Sequence, residues 1–212
     1  MFASLSDGGP YLWSLLVLSV VSLTVILERG WALRRSRVLP PPLVGVLPTA
    51  DAQILRGTCA AAPSALARLV ITILDHLHWP KEETAGAVQV LARREIAGLE
   101  HRLFVLEIIV GIAPLIGLVG TINGIIPLFV DFGKAIGGDY ALLAKGIGAA
   151  LNKTLVGLLV AIPTLVAWSV LNKRVESLAV ELEGHSDDLI RREYLGGGAP
   201  ASGDTRKAPA KP

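Results

Sequence analysis

Three uninterrupted apolar stretches decide what this chain can fold into. The first, Tyr11 to Leu27 (YLWSLLVLSVVSLTVIL), carries no charge. The second, from about Leu103 to Val130, is broken only by Glu107. The third, from about Ala141 to Leu171, is broken by Lys145, Asn152 and Lys153. A helix needs roughly 17–25 apolar residues to cross about 30 Å of hydrocarbon; the first stretch reaches that length and the other two exceed it. Only 18% of the residues are charged, against roughly 25% in soluble domains. The sequence therefore predicts an all-α, polytopic membrane protein with three transmembrane helices at 11–28, 103–130 and 141–171.

Basic residues predict the orientation. Residues 1–10 hold no Lys or Arg, whereas 29–102 hold nine arginines and Lys81. The loop 131–140 offers only Lys134, and seven basic residues follow Leu171. Lys and Arg resist translocation, so 29–102 and the tail are expected in the cytoplasm, with residues 1–10 and 131–140 in the periplasm. The expected location is a bacterial inner membrane. Trp13 and Trp31 sit as interfacial aromatics at the ends of the first span. No basic residue precedes that span and four arginines follow closely, so it reads as an uncleaved anchor rather than a signal peptide.

Between the first two spans, Pro40, Pro41 and Pro42 end any continuation of the first helix. Ala61–Leu77 and Glu82–Arg102 read as cytoplasmic helices, the second with Val88, Leu91, Ala92, Glu95, Ile96 and Leu99 at helical spacing and running straight into span two. Val175, Leu178, Leu182 and Leu189 continue the pattern beyond span three, predicting a cytoplasmic helix over 172–195. The end, 196–212, is low in complexity and expected to be disordered.

Several function classes drop out. A net charge of +2 gives no footprint for nucleic acid. Cys59 is the only cysteine, so there is no disulfide framework and no thiol metal cluster. His76, His78, His101 and His185 have no metal-ligand spacing, and the first two read as a solvated helix end before Trp79-Pro80. There is no Ser/His/Asp arrangement, and Gly117, Gly120 and Gly124 fall inside a span, not in a phosphate-cradling loop. Neither an enzyme nor a metal or other cofactor is expected.

The chemistry concentrates in spans two and three. At 100° per residue, Ala113, Gly117, Gly120, Thr121 and Gly124 share one stripe. Gly146, Ala150, Gly157, Ala161 and Thr164 form a matching stripe, with Lys153 inside it and Thr154 at its edge. Small residues let membrane helices approach closely, and periodicity alone says no more than packing. An antiparallel hairpin, however, sets Thr121 and Thr154 at one level, roughly 15–18 Å below the periplasmic ends of their helices at 1.5 Å per residue. Hydroxyls there can bond a mobile carboxyl or water without a fixed charge. A lone membrane threonine more often bonds its own backbone.

The segment A-P-L-I-G-L-V-G-T-I-N-G-I from Ala113 resembles the second helix of the MotA/TolQ/ExbB proton-channel family. The segment G-I-G-A-A-L-N-K-T-L-V-G-L-L-V-A-I-P from Gly146 resembles its third. The exit from span one, E-R-x-W-x-L-R-R from Glu28, is also similar, and the three-span layout resembles ExbB or TolQ rather than MotA. The resemblance implies a homopentamer with helices two and three around a central pore. It also implies an ExbD/TolR-like single-span partner bearing an intramembrane aspartate, and coupling of the proton motive force to a TonB- or TolA-like periplasmic protein. Its pore threonines fall on Thr121 and Thr154, with Ala149, Asn152 and Lys153 along the same path and Gly117, Gly120, Gly124, Gly146, Ala150 and Gly157 as packing and lining residues.

Two positions depart from the family pattern. Its third helix usually reads G-I-x-E-A-L, and the glutamate is Ala149 here; the small or hydroxyl residue before the pore threonine is Lys153. These departures keep a second reading open, a non-conducting scaffold of the same fold. Lys153 faces the pore and pairs with the partner's aspartate, snorkels toward the periplasm, or is neutral because burial disfavours the charged form. Glu107 and Asp131 read as carboxylates near helix ends, and Pro127 and Pro163 as kinks.

Overall fold

The computed structural model describes residues 9–134 and 140–196, which form eight helices and, among the described residues, no strand. They are α1 (Gly9–Ala32), α2 (Arg35–Val38), α3 (Pro41–Val46), α4 (Ala52–Ala61), α5 (Ala65–Asp75), α6 (Lys81–Glu100), α7 (Leu103–Lys134) and α8 (Tyr140–Gly196). Residues 197–212 of the tail expected to be disordered, 1–8 of the segment 1–10 and 135–139 of the segment 131–140 lie outside the described residues. Three helices are long and apolar enough to cross a membrane: α1 with 24 residues, Leu103–Gly133 with 31 and Tyr140–Leu195 with 56. Only 11%, 33% and 22% of their most apolar windows are buried within the chain. Residues such as Leu27, Ile126 and Leu159, each well over half exposed, would be costly in water; lipid or further helices must cover them.

The chain divides into two compact units. The first comprises, among the described residues, 9–34, 99–134 and 140–175. Its centre is Leu15, Ile109, Ala113 and Ala161, with Leu18, Val105, Ile116, Val156 and Val160 packed against them. Two of the four central residues are alanines, so α7 and α8 meet almost backbone to backbone, as membrane helices do when small residues face each other. Pro114, Pro127 and Pro163 lie inside α7 and α8 without ending them, since neighbouring groups in a bundle satisfy the freed carbonyls. At the Leu103 end, Arg102 pairs with Glu28. Arg29, only 8% exposed, donates from a terminal guanidinium nitrogen to the Leu99 carbonyl at 3.2 Å.

The second unit comprises, among the described residues, 35–98 and 176–196, and in it α4 packs on α5 and α3 on α4. Ser64 caps α5, its side chain accepting from the Ala67 N–H at 3.1 Å, which satisfies one orphan donor of the first turn. Leu66, Leu69, Val70 and Ile73 of α5 are essentially fully buried, with Leu43, Leu55, Cys59, Val88, Leu182 and Leu189 completing the core. Glu95 binds Arg68 through two hydrogen bonds, and this holds the guanidinium pKa above its usual value. The end of α8 is tied down twice. Tyr194 and Thr84 share a hydrogen bond of 2.7 Å, and Arg192 donates to the carbonyls of Leu47 and Ala50.

The structure refines the sequence reading between the first two spans. The helix read at Ala61–Leu77 is α5, shortened to Ala65–Asp75 behind its serine cap. The one read at Glu82–Arg102 is α6, which does not run straight into α7: His101 and Arg102 form a turn between them. Pro41 and Pro42 open α3 rather than merely ending what precedes, because proline's missing N–H costs nothing in the first turn. Beyond span three the helix does continue, as α8 runs unbroken to Gly196.

Candidate functional site

The seam between α7 and α8 is built on glycine. A Cβ on Gly117 would lie 3.0 Å from both the Lys153 carbonyl oxygen and the Thr154 Cα. On Gly157 it would lie 2.7 Å from the Ala113 carbonyl oxygen. These two glycines allow an approach that any other residue would block. Two turns on, a Cβ on Gly124 would meet the Ala150 methyl at 3.2 Å; further along, the Leu128 side chain covers Gly146.

This approach brings two hydroxyls together. Thr121 Oγ1 and Thr154 Oγ1 are hydrogen-bonded to each other. Thr121 also reaches the carbonyls of Gly117 at 3.0 Å and Ala150 at 3.2 Å, and Thr154 reaches the Gly117 carbonyl at 3.2 Å. Each hydroxyl has one proton to donate. Two arrangements therefore satisfy the cluster. In one, Thr121 donates to Thr154, which donates to Gly117; in the other, Thr154 donates to Thr121, which donates to Gly117 or Ala150. The cluster can reverse its direction without losing a bond. Thr121 is only 7% exposed, whereas Thr154 is half-buried, so a group arriving from outside the protomer meets Thr154 first.

Lys153 takes a different course. Its Cδ lies 3.3 Å from where a Cβ would sit on Gly120, and its Nζ 3.3 Å from that position on Gly124. The stem is thus laid along the glycine track of α7, directed back toward the start of α8 as a helical Cα–Cβ bond dictates. Tyr11 of α1 closes over the same track, its Cβ 3.3 Å from the Gly120 position. Among the described residues no carboxylate forms an ion pair with Lys153.

Of the residues singled out from the sequence, the structure gathers Thr121, Thr154, Lys153, Gly117, Gly120, Gly124, Ala150 and Gly157 into one seam. Gly146 sits farther toward the Tyr140 end, under Leu128. Ala149 and Asn152 lie exposed on α8, outside the seam. The role of Tyr11 was not visible beforehand: it read as the boundary of a span, and nothing in the sequence marks it as the cover of a glycine 109 positions away. The buried guanidinium of Arg29 was likewise hidden in a run of exit arginines.

The comparisons with known proteins bear on the same helices. The MotA/TolQ/ExbB proton channel family matches residues 61–184, more than half of the chain. A putative biopolymer transport protein ExbB-like 1 of Synechocystis is 33% identical over 171 residues, covering 77% of this chain and 67% of that protein. The Tol-Pal system protein TolQ of Haemophilus influenzae is 32% identical over 116 residues, 53% of this chain and 51% of its own length. The biopolymer transport protein ExbB of Helicobacter pylori is 40% identical over 81 residues, 38% of this chain and 56% of its own. The chain thus spans about half the length of the TolQ and ExbB relatives. With its three apolar helices, this multi-pass inner-membrane chain belongs to the MotA/TolQ/ExbB proton channel family, as a subunit of the ExbB/TolQ type.

Proposed function

We propose that the chain is the channel-forming subunit of a proton-driven motor. In this reading five copies form a ring with α7 and α8 inward, the start of α1 in the periplasm and the end of α8 in the cytoplasm. The ring encloses an ExbD/TolR-like single-span protein whose intramembrane aspartate carries the proton. Work passes to a TonB- or TolA-like periplasmic protein serving outer-membrane transport or envelope maintenance. Ala149 and Asn152, exposed on α8, face neighbouring copies or the lumen.

The observation that carries this reading is the reversible hydroxyl cluster of Thr121 and Thr154 inside a glycine seam. A cluster that donates in either direction can accept a bond from a protonated carboxyl and return one to an ionised carboxylate. Thr154 supplies the contact and Thr121 the relay behind it. Low dielectric strengthens such bonds, and the two hydroxyls themselves carry no charge to desolvate.

The test is proton flux in liposomes containing the chain with its single-span partner. Replacing Thr154 by Val should abolish flux and leave the oligomer unchanged on native mass spectrometry. Undiminished flux in that variant sinks the pore assignment. A second reading, a scaffold that keeps the fold without conducting, is favoured by the methyl of Ala149 and the cation of Lys153. It predicts that the wild-type complex leaves an imposed pH gradient intact.

A further inference from the structure

Lys153 sits where a charge is expensive. Gly124, beside its Nζ, is six residues, about 9 Å, from Val130, where the apolar stretch ends. The stem already runs toward that end, so snorkelling is largely spent and the ammonium still stops short of it. A cation held at such a depth needs a counter-charge or a water-filled lumen beside it.

The described acids of α7 do not serve. Along its axis Asp131 lies about 10 Å from Gly124 and Glu107 about 25 Å. In α8 the nearest ionisable neighbour, Lys145, has the same sign. The seat itself is built for the stem: Gly120 is buried and bare, Gly124 half-buried, so the track covers the methylenes and brings the ammonium out at its rim.

We propose that Lys153 is the counter-charge for a carboxylate that a second membrane-spanning helix carries to the level of Gly124. This rests on the motor reading above and specifies the partner's contact. The partner's acid is held as a lysine–carboxylate pair, next to the threonine cluster, rather than by hydroxyls alone. The pair favours the ionised carboxylate, so Lys153 acts as a positioning residue that sets where the partner helix rests between proton transfers.

The test is a double-mutant cycle on the full chain co-expressed with its single-span partner, reading the partner retained on purification in detergent. Lys153→Met keeps an unbranched stem for the glycine track and removes the charge. It should lower retained partner at least about tenfold, as loss of one member of a buried charge pair does. Lys153→Arg should retain it. The partner's Asp→Asn alone should lower retention similarly, and this arm reads the pair even if the methionine variant does not assemble. Combined with Lys153→Met, the Asp→Asn change should restore retention. Purely additive losses, or equal retention in every combination, would overturn the pairing while leaving the motor reading standing. So would rescue of Lys153→Met by Asp7→Asn, which would make the chain's own N-terminal acid the counter-charge. Failure of any single-span partner to purify with the wild type would overturn both.

Discussion

Gly157 comes so near Ala113 that a methyl added to it would stand 2.7 Å from the Ala113 carbonyl oxygen. That oxygen belongs to a helix backbone and cannot swing aside as a side chain would.

The first prediction concerns this contact. Gly→Ala inside a helix ordinarily gains up to about 1 kcal/mol from propensity, but overpacking a close contact costs about 1–3 kcal/mol. At Gly157 the clash should win. Gly157→Ala should lower the thermal midpoint of the detergent-solubilised protein, and Gly148→Ala, with nothing within 4 Å of the new methyl, should hold or raise it. Equal behaviour of the two variants would mean that the α7–α8 approach is looser than described.

What the sequence revealed and what it hid follow from the same physics. Span length and apolarity are properties of one helix, so all three long helices were legible, as was the shared depth of Thr121 and Thr154. Their mutual hydrogen bond follows once glycines at 117 and 157 set the distance. The route of Lys153 was not legible, because a mid-helix lysine can leave in several directions and its neighbour's bare track decides among them. The exposure of Ala149 and Asn152 was equally hidden: stripes drawn on one helix do not say where the second helix stops covering it. In the second unit, α2, α3 and α4 span four to ten residues each, too short for periodicity to declare itself.

The second prediction concerns the anchoring of α8. The Tyr194 hydroxyl bonds Thr84, which is fully buried, and reaches the Trp79 carbonyl at 3.0 Å; Thr84 in turn donates to the His76 carbonyl at 2.9 Å. Tyr194→Phe removes one member of this network and should cost about 0.5–1.5 kcal/mol. Hydrogen exchange should then quicken in the last turns of α8 and at His76–Trp79, and leave α7 unchanged. Unaltered protection at both places would show that the network does not hold the helix end.

The third prediction is a pH dependence. Cys59 is 2% exposed, and burial raises its thiol pKa, because desolvation penalises the thiolate. In the unfolded chain the thiol ionises near about pH 8.5. The stabilising contribution is whole below that value and is lost as pH climbs toward the folded pKa, since unfolding then releases a proton. Denaturation midpoints should therefore fall between neutral and alkaline pH, and Cys59→Ala should reduce the slope. The folded thiol should also react with maleimide far more slowly than the unfolded one at pH 8. Rapid labelling of the native protein would contradict this burial.

The last prediction separates the fold from the proton route. In Thr121→Val, Thr154 keeps the Gly117 carbonyl 3.2 Å away as an acceptor, so no buried donor is orphaned. Stability should change by no more than about 1 kcal/mol, in line with the modest worth of side-chain hydrogen bonds between membrane helices. Proton flux with the partner present should nevertheless fall about tenfold or more, as when a positioned proton-transfer group is removed. Thr121→Ser, which retains the hydroxyl, should keep most of it. A valine variant that conducts like the wild type would show that protons bypass the cluster. A serine variant as inactive as valine would mean that the methyl, and so the packing of the seam, is what the position supplies.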